Sequence, residues 1–416
     1  MRSRFQRSFT LLLLLLLAVP AAGRQALRQA GADAVGMSAE RLARIRPAMQ
    51  AMVDAKLIPG VETLVARRGA VVHHERVGVA DDAMFRIASM TKPITSVAIL
   101  MLQEDGKLLT SDPLSRFIPA FKETRVLAPA SSLSNGDGAG TVPARRQITI
   151  DDLLTHTSGL VYGFIDRGPV GEMYRKSGVF DGLGARRPSS LAEQMDLLAR
   201  QPLKFQPGEA YEYSISIDVL GRVVEVASGL SLDEFFRRRI FDPLGMRDTH
   251  FSVPASKASR LVTLYSHEKG VLGRAAEQGS FSDVTYYSGG AGLVSTGRDY
   301  LRFAQMLLNG GELDGARLLS RKTVELMTAS HTQDIGPSAV SSGYGFGYGF
   351  SVRESLGLSS RIGSEGLYTW GGIFGTHFWI DPKEQLVGLL MLQLLPRPDD
   401  RAREVFTALT YSSLTD

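Results

Sequence analysis

The sequence predicts an α/β chain of the α+β type, an antiparallel sheet flanked by helices with a mainly helical domain inserted into it. Three observations lead there. Strand and helix patterns alternate over residues 37–110, helix patterns dominate 111–284, and strand patterns return over 285–416. That order suggests an α/β domain assembled from 37–110 and 285–416, with 111–284 as the insertion, and a cleft between them is the default ligand site.

The first segment, "MRSRFQRSFTLLLLLLLAVPAAGRQA", places three arginines before an apolar run and then small residues. This is the layout of a secretory signal, residues 1–23, removed on export to the periplasm or the medium. A spanning helix is the alternative, but the run is shorter than the roughly 20 residues a bilayer needs, and no span is expected after cleavage. Residues 1–24 hold Arg2, Arg4, Arg7 and Arg24 and no acid, which accounts for the formal charge of +4. The rest of the chain is near neutral, and nothing points to nucleic acid or an anionic surface. With no cysteine, disulfides, thiol nucleophiles and thiolate metal sites are excluded.

Residues 38–56 read as an amphipathic helix capped by Ser38, followed by a hairpin turning at Arg68 and Gly69. A strong helix from Thr91 to Glu104 carries Ile94, Val97, Ala98, Met101 and Leu102 as its apolar stripe, with Pro93 in the first turn and Gly106 past its end. Further on, "SSLAEQMDLLAR" and "DVLGRVVEVASG" are helical, and Ser231 with Glu234 forms a capping box. "APASSLSNGDGAGTVPA" reads as a surface loop. The closing strands are "GGAGLVST", "YGFGYGFSV" as one strand, "THFWIDP" and "LVGLLMLQL", with a helix from Thr296 to Leu308 after the first.

Within this frame three pieces can carry chemistry. In "FRIASMTKPIT", Ser89 and Lys92 share a helix face, so the amine can reach the hydroxyl, and the helix N-terminus favours a developing oxyanion. A lysine accepts a proton only when its surroundings lower its ordinary pKa of about 10.4. In "FQPGEAYEYSISIDVLG", Tyr213 is a phenol presented just before a helix and is able to relay protons. In "TWGGIFGTHFWIDP", Trp370, Gly371 and Gly372 allow close approach of a substrate, and the Ile373 N–H can oppose that of Ser89 as an oxyanion hole. Taken singly, each has a plain alternative: an ordinary helix start, a packed tyrosine, a bulge beside a packed indole.

Other residues carry less. Ser266 and Lys269 repeat the spacing in what reads as a solvated turn. His156 in "LLTHTSGL" suits a structural turn. His73 and His74 point to opposite faces of one strand, and no metal-ligand spacing occurs. His377, four residues beyond Ile373, could face the cleft but better fits an ordinary strand position, and Asp218 serves a helix start with a lesser chance of supporting the site. Tyr162, Phe164 and Tyr174 are possible walls of an acyl pocket, though surface aromatics of a lid would look alike. GxSxG and GxxxxGK[ST] are both absent.

In their order and context, "SMTK", "PGEAYEYS" and "WGG", with "LLTHTSGL" and "SGGAGLVST" between them, resemble the serine beta-lactamase-related hydrolases of the class C type. That group includes penicillin-binding proteins, D-aminopeptidases and the family VIII carboxylesterases, and the resemblance spans residues 38–395. It implies a beta-lactamase/transpeptidase-like fold, Ser89 as acylated nucleophile, Lys92 as its proton acceptor or electrostatic partner, and Tyr213 as general base and acid. It also implies an oxyanion hole from the N–H groups of Ser89 and Ile373. Trp370, Gly371, Gly372 and Tyr162 are the candidate substrate-binding residues. Neither metal nor organic cofactor is implied.

Two departures shape the expected substrate. Class C beta-lactamases carry asparagine two positions after the tyrosine, where this chain has Ile215, and Lys-Thr-Gly where it has Trp370, Gly371 and Gly372. Both changes make the pocket less polar and favour uncharged acyl esters, the pattern of the family VIII esterases. The expected activity is therefore hydrolysis of a small-molecule carboxylic ester. The alternatives are a beta-lactamase or D-stereospecific peptidase of the same fold, an acyltransferase, or a binding protein without turnover.

Overall fold

The computed structural model describes residues 27–416 other than 129–139, 183–189, 277, 278, 280, 334 and 336–340. The expected leader, residues 1–23, and most of the expected loop at 128–144 lie outside the described residues. Among the described residues no helix is long and apolar enough to cross a membrane.

Seven antiparallel strands form the main sheet, and the sequence order of its members explains the fold. Tyr344–Phe346, Ser351–Arg353, Tyr368–Gly371, His377–Asp381 and Leu386–Met391 lie side by side in that order. Val61–Arg67 then pairs with Leu386–Met391, bringing Leu64 opposite Leu389, and Ala70–Val77 closes the edge. The hairpin between these last two strands turns on Arg68 and Gly69, both at positive φ, as the twist of paired strands requires.

Alternation along the strands gives the sheet two faces. One face presents Val65, Trp379, Leu386 and Leu390 to a cluster that includes Met49 of the helix Ile45–Asp54 and Phe406 of the helix Arg401–Ser412. The other presents Leu64, Phe378, Ile380 and Leu389 to a larger cluster containing the helices Lys92–Glu104, Ser216–Ser228 and Gly297–Leu308.

Several expected elements change on folding. The helix over 38–56 divides into Ala39–Leu42 and Ile45–Asp54, with Ser38 capping the first through its side chain. The helix Lys92–Glu104 is buried on every side through Leu102, because it runs through the middle of the molecule, where no solvent-facing stripe is possible. Its Thr95 hydroxyl meets this burial by donating to the Gly289 carbonyl at 2.6 Å.

"YGFGYGFSV" forms two strands joined by a turn, with Gly349 at φ 95°. The glycines there make a hairpin, since a side chain at 349 would collide with the Ser96 hydroxyl. "GGAGLVST" contributes only Val294–Ser295, paired with Phe85–Arg86 outside the main sheet. Residues Thr141–Pro143, expected as loop, pair with Arg125–Leu127. Ser231 accepts from Glu234 N, but the Glu234 carboxylate turns to Arg238, so the capping box is half made.

Candidate active site

Ser89 belongs to a short 3-10 turn, Ala88–Thr91, that leads into the helix beginning at Lys92. Ala88 sits at φ 43°, a left-handed conformation costly for a residue with a β-carbon and typical of functional turns. The turn is held from three sides. Phe85–Arg86 pairs with Val294–Ser295, Ile87 N donates to Leu293 O at 3.0 Å, and the Thr376 hydroxyl donates to Ile87 O at 3.3 Å.

These contacts bring the three expected side chains together. Tyr213 Oη lies 2.7 Å from Ser89 Oγ, and Lys92 Nζ lies 3.1 Å from the same oxygen. Lys92 is fully buried, its ammonium also donating to Gly290 O at 2.9 Å. It stands 4.5 Å from the Tyr213 ring centroid and 5.3 Å from that of Tyr162, so two π faces help to hold a cation out of water.

Tyr213 is set by the chain before the helix Ser216–Ser228 and by His156 beneath it. The His156 ring lies 4.9 Å from the Tyr213 ring, its Nδ1 is 3.1 Å from Ser214 Oγ, and its carbonyl accepts from Glu212 N at 2.9 Å. His156 itself is at φ 57° and fully buried. Burial, reinforced by the Lys92 charge, holds its pKa well below the ordinary value. A neutral imidazole that packs and hydrogen-bonds fits the structural role expected of it.

Burial of histidines gives the protein a pH dependence. Burial lowers His73 and His250 to about 4 from 6.5, and lowers His156 and His377 as well. An unfolded chain protonates these rings below 6.5 while the folded one resists, so their contribution is full above about 6.5 and is lost as pH falls. Asp218 and Asp299, raised by burial to about 6 from 3.8, act in the opposite sense across the same window. Asp181 and Asp233 are raised by burial as well, but the histidines carry the larger shifts, so the unfolding free energy is expected to rise between pH of about 4.5 and 7, with His73 alone contributing on the order of 3 kcal/mol. Urea midpoints at both ends check this, and a midpoint that falls with pH contradicts it.

Asp218 does more than begin a helix. Its buried carboxylate accepts from Ser288 Oγ at 2.6 Å and Tyr286 Oη at 3.2 Å, and a β-carbon on Gly290 would collide with it. It thereby fixes the turn whose Gly290 carbonyl holds Lys92. Burial raises its pKa to about 6, against the lowering pull of Ser288, Lys92 and Tyr286.

A cavity of about 250 Å³ opens at Ser89 and is lined by Tyr162, Tyr213, Trp370, Gly371, Gly372 and Ile373 among others. Trp370 packs on Tyr213 and Phe346, at 5.3 and 5.2 Å between centroids. Gly372 has no room for a side chain, because a β-carbon there would strike Ile87 O and Thr376 Oγ1. This close approach sets the turn containing Ile373 against the Ser89 turn.

Phe164 also lines the cavity, whereas Tyr174 is buried in the core and does not. His377 and His73 face away, His377 into another cavity and His73 onto Thr63 Oγ1 at 2.8 Å. Ser266 and Lys269 belong to a hairpin, Ser266 buried in its first strand and Lys269 exposed at its turn.

The pocket is not uniformly apolar. Arg397 and Arg403 line it beyond Gly372, both paired to Asp400 at 3.2 and 2.6 Å. The expected loss of positive charge with the missing Lys-Thr-Gly lysine is therefore partly offset from the C-terminal segment. A run of "RPDDRAR" gives no local sign of this, since only the packing of the last helix across the sheet brings it to the cleft.

Fold and site together define a class, the serine hydrolases built on the beta-lactamase/transpeptidase-like fold. The Beta-lactamase family profile matches residues 45–412, and the chain belongs to that family. It is similar to Protein Rv1367c of Mycobacterium tuberculosis, 36% identical over 82% of this chain and 88% of that one. It is also similar to Esterase EstB of Burkholderia gladioli, 30% identical over 83% of this chain and 87% of that protein. Among solved structures, EstCE1, described as a hydrolase with promiscuous acyltransferase activity, superposes with a TM-score of 0.75 at 28% identity, covering 89% of this chain and 99% of that one.

Proposed function

We propose that the protein is an exported serine carboxylesterase that works through an acyl-enzyme on Ser89. One observation carries the reading: Ser89 Oγ receives both Tyr213 Oη at 2.7 Å and Lys92 Nζ at 3.1 Å at the mouth of a cavity walled by Trp370. The likeness to Esterase EstB supports an ester as the substrate.

In the proposed reaction the Lys92–Tyr213 pair first gives up one proton to solvent, and the Ser89 oxygen then attacks the ester carbonyl while its own proton passes to the position left vacant on that pair. The carbonyl oxygen gathers negative charge and is held by the N–H groups of Ser89 and Ile373. Tyr213 returns the proton to the departing alkoxide, leaving an acyl group on Ser89 and releasing an alcohol. Water then attacks the acyl carbon by the same steps in reverse and releases the acid. Neutral Tyr162, whose pKa burial raises well above its ordinary value, gives the pocket an uncharged wall.

Arg397 and Arg403 favour a second reading, a beta-lactam or other substrate bearing a carboxylate, and the likeness to EstCE1, a hydrolase with promiscuous acyltransferase activity, favours transfer of the acyl group to an alcohol. Hydrolysis of p-nitrophenyl butyrate with little turnover of a chromogenic cephalosporin supports the esterase, and the reverse overturns it. Adding methanol separates transfer from hydrolysis by the methyl ester it yields. Export is tested by the mass of the mature protein, which on this reading lacks residues 1–23.

A further inference from the structure

A second cavity lies on the reverse face of the strand that carries Trp370. Thr369, His377 and Trp379 point into it, while Trp370 points to Ser89, so the two cavities share one strand as a partition. Its volume is about 440 Å³, within the range that takes a small organic molecule.

The walls are strongly basic. Arg353, Arg361 and Arg403 all contribute, against the single exposed carboxylate of Glu404. Arg403 is paired with Asp400. Arg361 is exposed and has no carboxylate within ion-pair distance among the described residues. Arg353 is 2% exposed and has no ion pair among them either.

Among the described residues, the hydrogen-bond partners of the Arg353 guanidinium are neutral: Tyr344 Oη accepts from Nε at 3.0 Å and from Nη2 at 2.5 Å, and Ser359 Oγ accepts from Nη2 at 3.3 Å. The neighbouring Asp381 carboxylate is taken by Tyr411 Oη, Ser364 N and Glu384 N. Burying a cation without an anion is costly, and His377, kept neutral by burial and by Arg403, Arg361 and Arg397, supplies no negative charge.

The rest of the wall mixes polar side chains, among them Ser360, Thr369 and Thr407, with an apolar part. Trp379 and Leu367 form its base, and the outer loop carries Leu356, Leu358 and Ile362 at 48%, 68% and 53% exposure. Of these three only Ile362 lines the cavity, and it offers an exposed aliphatic surface at its edge.

We propose that this cavity binds a small organic anion, its carboxylate or phosphate held among Arg353, Arg361 and Arg403 and its apolar body lying on Trp379, Leu367 and Ile362. The site does not depend on which ester Ser89 cleaves. Because Arg403 lines both cavities, a bound anion draws on the same guanidinium that Asp400 holds at the end of the Ser89 pocket.

Calorimetric titration of the mature protein with benzoate, phenyl phosphate and benzyl alcohol tests the site. Saturable binding of at least one anion is expected, with the neutral alcohol weaker by roughly tenfold or more. Arg353→Gln and Arg361→Gln, neither of which lines the Ser89 cavity, are each expected to weaken the anion by about tenfold. The preferred anion distinguishes carboxylate from phosphate. If circular dichroism shows Arg353→Gln to be unfolded, Arg361→Gln decides, since its side chain is exposed. No saturation by either anion, equal affinity for benzyl alcohol, or wild-type affinity in Arg361→Gln overturns the proposal.

Discussion

Ser89→Ala is expected to lower ester turnover by roughly 10⁴- to 10⁶-fold, the range seen when the nucleophile of an acyl-transfer enzyme is removed. The Ser89 hydroxyl is the atom on which Tyr213 Oη and Lys92 Nζ converge among the described residues. Alanine fits the turn, and Ser89 is only partly buried, so the folded structure should survive. The measurement is kcat on p-nitrophenyl butyrate beside the mass of intact protein after treatment with a fluorophosphonate. Wild type should gain one adduct and the variant none. Residual turnover within tenfold of wild type, or labelling at another residue, would assign the chemistry elsewhere.

Lys92→Met is expected to lower kcat by roughly 10²- to 10⁴-fold with little change in KM, as loss of a proton-transfer partner does. Methionine matches the length of the lysine stem and keeps its packing. It leaves the Gly290 carbonyl without a donor at about 1–3 kcal/mol, while removing a buried charge, so the two effects on stability oppose each other. Tyr213→Phe should produce a loss of similar size, since it keeps the ring against Trp370 and His156 but removes the oxygen on Ser89. Groups that act as a unit are not additive. The double variant should therefore be scarcely worse than either single one, and fully multiplicative losses would show that lysine and tyrosine act separately.

Much of this site is visible in the primary structure because its parts are local. A serine three residues before a lysine needs only one helix turn to meet it, and a tyrosine just ahead of an apolar helix is presented by that boundary. What the chain does not reveal is long-range. Asp218 reads as a helix-start residue, yet its partners Tyr286 and Ser288 are about seventy positions away. Arg397 and Arg403 enter the pocket through packing that no local period records. The misread of "YGFGYGFSV" has a local cause: alternating aromatics satisfy a strand pattern, and the turn is signalled only by which glycine takes positive φ. The apolar stripe of the Lys92 helix likewise underestimates its burial, because Thr95 and Ser96 count as polar although they are enclosed.

The pairing of Glu62 with Met391 has a consequence for biogenesis. Contacts between residues so distant along a chain form late and slowly. A nascent polypeptide that has emerged past Lys92 and Tyr213 still lacks the sheet that backs them, and the wall opposite Ser89 arrives only with its final fifty or so residues. A chain released before Leu386 is thus expected to leave its amino-terminal hairpin without the strand it pairs with.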